Sequence, residues 1–374
     1  MEAVMQATSR TPIEVAKPTR REERLHWLML VVVLYWACAI YIDAYHHAHD
    51  GFHIESFFIW EHLPLYAGWL AACALLAIYY LQSATLGIPH AKRLPSAYWL
   101  VAVGAVGYGV AGGFDMLWHS AFGFEQNLAV TWSPSHLALK TADFFVLAGL
   151  LRYSLAHRGP DDSRSLRAAL PLLIPMAIVL WYAMWTTWYT NPLTADWASG
   201  GALVSQLDAF DYLEYGSGAG MVAGTLGMLW NVVLLVPLLV VPLARWSLPV
   251  GSITFMVALY AVIMTAAVDT LIFLPAIVGG AIFGDVLWAW IRRSGRTGQP
   301  ITYAVLGAVV PLVQGIGYFA TVAALPSGIV WPVHLWAGVL FMSVAVGGWL
   351  GYLAAGRPAP LPVVEVSPRA QGAT

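Results

Sequence analysis

Two stretches of this chain carry the same chemical groups in the same order: 43-DAYHHAHDGFHIESFFIWEHL-63 and 115-DMLWHSAFGFEQNLAVTWSPSHL-137. Each begins Asp-x3-His, passes through Gly-Phe and a glutamate, and ends on His-Leu. On a helix the pairs Asp43/His47 and Asp115/His119 lie one turn apart on one face. His62 and His136 return on the next apolar segment. A carboxylate with two imidazoles is a ligand set for iron, copper or zinc that leaves coordination positions open. The loop glutamates Glu55 and Glu125 are placed to orient a ligating imidazole or carry a proton. The plainer alternatives are an i, i+4 hydrogen bond for each Asp-x3-His and an interfacial hydrogen bond for each lone histidine. The pattern recurs after 72 residues, counted from Asp43 to Asp115. That recurrence of ionisable groups favours two metal-site hairpins. His46, His49 and His53 are alternates in the first.

The elements that must hold these groups are apolar. The 374 residues are 59% hydrophobic and 10% charged, with 18 Trp, far from the composition of a soluble domain. Apolar runs long enough to span a bilayer recur along the chain, too long and continuous for barrel strands. Only helices or closed barrels satisfy their backbone groups in lipid. The expected fold is therefore an all-α polytopic integral membrane bundle of about ten transmembrane helices, with a duplicated N-terminal helical hairpin. The expected spans are 25–45, 57–82, 96–119, 134–157, 169–190, 218–244, 249–271, 274–291, 300–324 and 331–355. Residues 1–24 read as a cytoplasmic tail, 25–157 as the paired metal-site hairpins, 158–356 as the remaining helices and 357–374 as a disordered tail. The loop 191–217, with Asp196, Asp208, Asp211 and Glu214, reads as an outer cap.

Orientation follows from the basic residues. Lys17, Arg20, Arg21, Arg24, Lys92, Arg93, Arg158, Arg164, Arg167, Arg245, Arg292, Arg293, Arg296 and Arg357 all fall on one side when ten spans are drawn. The loops 46–56, 120–133, 191–217 and 325–330 contain no Lys or Arg. Both termini are expected in the cytoplasm of a cell whose inner membrane holds the chain. No basic patch for nucleic acid is present. Cys38 and Cys73 fall inside apolar runs and read as unpaired small hydrophobes.

Within the second hairpin, Ser133 is an expected N-cap with Pro134 at the first helical position. Lys140 and Asp143 suggest a local ion pair. Asp269 reads as a cap or a proton or metal group, and His334 as an interfacial hydrogen-bonder. Trp60, Trp118 and Trp132 suit an interfacial aromatic belt.

The motif Asp115-Met116-Leu117-Trp118-His119, followed by Ser133-Pro134-Ser135-His136-Leu137, resembles the C subunit of copper membrane monooxygenases, the particulate methane and ammonia monooxygenase group. That family carries D-x2-W-H and then T-P-S-H-I on the next helix, with the Asp and both His binding copper. The resemblance implies copper on Asp115, His119 and His136. The first hairpin is similar only in outline to the family's Asn-x3-His…His set, with Asp43 in place of Asn and the opposite chain order. The likeness covers about 25 of the 374 residues, and the two histidines stand further apart here than in the family. The family's subunit works with partner subunits, one bearing a cupredoxin-like part that this chain lacks. The function expected is a metal-dependent oxidoreductase with copper as the first candidate and iron or zinc as the others, monooxygenase-like, acting on a small apolar substrate from the bilayer, alone, as a homo-oligomer or with partner subunits. The alternative is a metal or proton transporter or sensor using the same sites without redox chemistry. A haem held by His62, His136 or His334 fits poorly with an Asp beside each histidine.

Overall fold

A computed structural model describes residues 17–50, 57–125, 128–157, 165–246 and 248–356. Among these residues every regular element is a helix. The helices are α1 (Arg20–Asp50), α2 (Leu63–Thr85), α3 (Tyr98–Phe122), the short α4 (Leu128–Trp132), α5 (Pro134–Ala156) and α6 (Leu166–Trp185). They continue as α7 (Gly218–Arg245), α8 (Ser252–Ala266), α9 (Leu274–Arg293), α10 (Pro300–Ala323) and α11 (Val333–Ala354). Eight segments, containing α1, α2, α3, α6, α7, α9, α10 and α11, are long and apolar enough to cross a membrane. Side chains such as Val31, Val110, Phe341 and Trp349 stand exposed on them, as they would toward lipid. The remaining two long helices differ for readable reasons. α5 carries Lys140, Asp143 and Arg152, and α8 has only 15 residues.

α1 begins five residues before the expected span. Thr19 and Glu22 form a reciprocal capping box: the Glu22 amide donates to Thr19 Oγ1 at 3.2 Å and the Thr19 amide to Glu22 Oε2 at 2.8 Å. This Thr-x-x-Glu signature starts the helix at Arg20, so 20–24 are helical rather than tail. Residues 1–16 and 357–374 lie outside the described residues. At its other end α1 runs on through His46, His47 and His49, which keeps Asp43 and His47 on one helical face.

The first four long helices form two hairpins. In the α3–α5 hairpin the backbones touch: a Cβ on Gly104 would lie 2.6 Å from the Ala142 carbonyl oxygen. In α1–α2, Gly68 sits against Trp36. The hairpins join where Trp69 Nε1 of α2 donates to the Ala105 carbonyl of α3 at 2.7 Å. α6 closes the group from the side. Pro175 cannot bond the Pro171 carbonyl one turn back, and Ser154 Oγ of α5 donates to that carbonyl at 2.6 Å instead.

The segment expected as a cap begins with a buried stretch. Asn191, Leu193, Thr194, Asp196 and Ala198 are fully enclosed. Thr270 donates its hydroxyl to the Leu193 carbonyl, and the Val330 amide donates to Ala198 at 2.9 Å. Residues 191–201 form a plug whose backbone is satisfied by its own turns and by the loops around it, while Asp208, Asp211 and Glu214 further along are exposed.

Candidate metal centre

Site II is built by α3 and α5. Asp115 and His119 lie one turn apart near the end of α3 and are both buried. Ser133 caps α5 through the His136 amide, with Pro134 at the first position, so His136 enters on the first turn. Asp115 Oδ1 stands 3.3 Å from His119 Nε2 and 3.6 Å from His136 Nε2. Site I is built by α1 and the turn before α2. Asp43 Oδ1 stands 3.5 Å from His47 Nε2 and 2.9 Å from His62 Nε2. In each site the three ligand atoms lie within 4.8 Å of one another.

The outer ring nitrogens explain what these contacts require. His62 Nδ1 donates to the Phe57 carbonyl at 2.9 Å, His136 Nδ1 to Val130 at 2.6 Å and His119 Nδ1 to Gly123 at 3.2 Å. A neutral imidazole that donates from Nδ1 has only a lone pair at Nε2. Each of these Nε2 atoms stands against a carboxylate oxygen, Asp43 Oδ1 for His62 and Asp115 Oδ1 for His119 and His136. Lone pairs gathered at this range in an apolar surround repel unless a cation, or a proton on the imidazole, lies among them.

The spacing suits an ion. Ligands about 2.0–2.1 Å from a metal stand about 2.9 Å apart at right angles and about 3.4 Å apart at tetrahedral angles. The four carboxylate–imidazole distances, 2.9 to 3.6 Å, bracket both. The Nδ1–H···O=C bonds are the partners that ligating histidines ordinarily have. The donor set is hard enough for iron and nitrogen-rich enough for copper or zinc.

Both sites open on one cavity of about 580 Å³, lined also by Tyr66, Trp69, Tyr108, Lys140, Asp143 and Tyr182. Phe57 links them. Its carbonyl accepts from His62 and from the Tyr66 hydroxyl, the latter at 2.9 Å, while its ring packs 5.4 Å from that of His119. Glu125 reaches site II: Oε2 is 3.1 Å from His119 Nδ1, off the line of the N–H bond, which Gly123 takes. Glu55 and His53 lie outside the described residues.

Other candidates go elsewhere. His46 Nδ1 faces the buried Glu61 at 3.4 Å. His49 Nε2 pairs with Asp269 Oδ2 at 2.7 Å, tying α1 to the turn after α8. Asp269 adopts φ 59° there and is an ion-pair partner rather than a cap. His334 is exposed and outside the cavity. The expected Lys140–Asp143 pair gives way to two separate bonds: Lys140 donates to the Thr131 carbonyl at 2.7 Å and Asp143 accepts from the Tyr182 hydroxyl at 2.5 Å. On α5, His136, Lys140 and Asp143 share one stripe, so each side chain faces the cavity and finds its nearest partner across it. Tyr182 had no local signal; an apolar helix with one tyrosine does not announce where that hydroxyl goes. Glu61 did have one, being the single acid beside His62.

These features define a multi-pass helical protein of membrane type with two Asp-His-His clusters facing a shared apolar cavity. Comparison with protein-family profiles, characterised proteins and solved structures finds no match for the chain.

Proposed function

We propose that the protein is a metal-dependent integral membrane oxidoreductase, copper being the first candidate and iron or zinc the others, that acts on a small apolar substrate. In this reading ten helices cross the bilayer, both termini are cytoplasmic, and the hairpins α1–α2 and α3–α5 are repeats that each bring one ion site to the outer half of the membrane. The observation that carries it is the convergence of one carboxylate oxygen and two imidazole nitrogens within 4.8 Å of one another, twice, on one cavity. Charged groups in a bilayer are costly and tend to be functional. A redox ion would supply the electron-transfer chemistry with dioxygen that an unactivated C–H or N–H bond needs. The chain's own groups do the rest. Asp115, His119 and His136 would hold one ion and Asp43, His47 and His62 the other. The carbonyls of Phe57, Gly123 and Val130 keep the imidazoles in the ligating tautomer. Glu125, 3.1 Å from the His119 ring, places a carboxylate beside the site that can orient the imidazole or carry a proton to the cavity. The aromatic walls exclude water.

Elemental analysis of detergent-purified protein tests this. The expected result is two redox-metal equivalents per chain, falling to one in Asp115→Ala/His119→Ala/His136→Ala and to one in the matching site I variant. Equal metal in all three proteins overturns it. The transporter reading requires ligands that continue inward. Below Asp143 the wall is Val33, Ala37, Val146, Leu147 and Ile178, which supports a site that ends there.

A further inference from the structure

The two hairpins are tight within and loose between. α3 lies backbone to backbone on α5, and α2 packs against α1 through Gly68. α2 and α3 meet at Trp69, whose ring lies so close to Gly109 that a Cβ there would be 2.5 Å away. One turn toward the site, Gly112 and Gly113 have nothing within 4 Å of where a Cβ would be, and both line the cavity. Three other cavity-lining residues are exposed on the outside of the bundle: Phe58 (80%), Leu70 (56%) and Met116 (42%). A residue that both lines a cavity and faces outward marks its mouth. Leu70 and Met116 belong to segments apolar enough to be in the membrane, so this mouth faces hydrocarbon rather than water.

We propose that a lateral opening between α2 and α3 admits a small uncharged apolar molecule from the lipid layer into the cavity. Gly112 and Gly113 keep the passage clear, and Trp69 is its floor. The inference rests on the membrane reading above and deepens it by naming the route and class of the substrate. The rim carries no charge. The ionisable groups, Asp115, His136 and Lys140 among them, lie at the inner wall, with Asp115 more than nine-tenths buried and its Oδ1 undonated. A molecule entering here passes apolar side chains and meets polar atoms only at its destination, which selects against charged solutes by their desolvation cost. A volume of about 580 Å³ is in the range of pockets that enclose small molecules.

The test uses the full chain in phosphatidylcholine nanodiscs with xenon as the probe, followed by saturation-transfer NMR. Wild type is expected to show bound xenon exchanging with the lipid phase. Gly112→Leu/Gly113→Leu should slow that exchange at least tenfold. Both positions have room for the new side chains, and leucine favours the helix over glycine, so the variant is expected to fold and keep its metal. Met116→Ala should speed exchange at least twofold. Asp115→Asn should retain xenon while losing metal. Xenon bound in wild type that contains no metal would sink the metal reading and leave the opening standing. Unchanged exchange in the double-leucine variant overturns the opening, as does a wild-type cavity that excludes xenon because a photoreactive lipid acyl chain crosslinks within it.

Discussion

The helices before and after the segment 191–217 have similar composition and place their buried acids differently. In α7–α11 the backbones come closest. α10 and α11 approach until a Cβ on Gly347 would lie 2.1 Å from the Gly307 carbonyl oxygen. The buried acid of that half, Asp285 of α9, accepts from the Ile253 amide at 3.3 Å and from the Thr254 amide and hydroxyl at 2.8 and 2.6 Å. It caps α8 from a neighbouring helix, because Gly251 at the N-cap has no side chain to do so. In α1–α5 the acids Asp43 and Asp115 face imidazole lone pairs across a cavity. Even among histidines the contrast holds. His26, buried near the start of α1, has Tyr98 on one nitrogen at 3.0 Å and Ser154 on the other at 2.9 Å. A buried polar group with complete partners is accounted for by the fold; one without them calls for a further explanation.

That contrast fails first if the second half tolerates crowding. Gly347→Leu must push a side chain into a carbonyl, and overpacking of a rigid contact costs about 3 kcal/mol or more. Loss of the folded, detergent-stable protein on size-exclusion chromatography is expected. Gly112→Leu, facing open space, should elute as wild type.

Next in size is the pair Asp285→Ala and Asp115→Asn. The first strands two amides and a hydroxyl, at a cost of about 1–3 kcal/mol, and should lower the melting temperature of the metal-free protein. The second removes a carboxylate charge from a site where it has no donor, and should leave that melting temperature equal or higher. A larger drop for Asp115→Asn than for Asp285→Ala would reverse the assignment of roles.

The comparison sharpens within the first half itself. Glu125 stands beside His119 of site II. Glu125→Gln is expected to weaken one of two metal-binding events by about 10–100-fold, the usual effect of removing a ligand's outer partner. The other event should not change. Isothermal titration of the metal-free protein with Cu(I) or Zn(II) separates them. Equal weakening of both would show that the sites are one coupled unit.

The membrane class and the two clusters were legible in the sequence because each rests on local rules. Apolar length announces a span, and Asp-x3-His announces a shared helical face. The hairpin connection then brings His62 and His136 back to meet them. What was not legible depends on tertiary position. Asp285 reads as a lone acid in the middle of an apolar helix, and nothing nearby says it caps α8 some thirty residues earlier. Lys140 and Asp143 look like a local pair because spacing is visible and the carbonyl of Thr131 and the hydroxyl of Tyr182 are not. The start of α1 was legible and misread: Thr19-x-x-Glu22 is a stronger signal than the charge run that surrounds it.

The smallest expected effect concerns the plug that separates the halves. Asp196 is buried there and accepts from the Ser199 hydroxyl and from the Leu203 amide at 2.9 Å. Burial raises its pKa above the ordinary carboxylate value despite those bonds. A raised folded-state pKa means the folded chain binds this proton more tightly than the unfolded chain. The stabilising contribution is therefore complete below the ordinary value and is lost as pH rises through the folded one. Asparagine copies the protonated shape and keeps an acceptor oxygen. Asp196→Asn should thus melt with wild type near pH 4 and gain about 1–2 °C over it by pH 7, the scale of a change under 1 kcal/mol. A gap that stays constant across that range would mean that Asp196 is ionised at no cost, and that the plug tolerates an unneutralised charge as the metal cavity does.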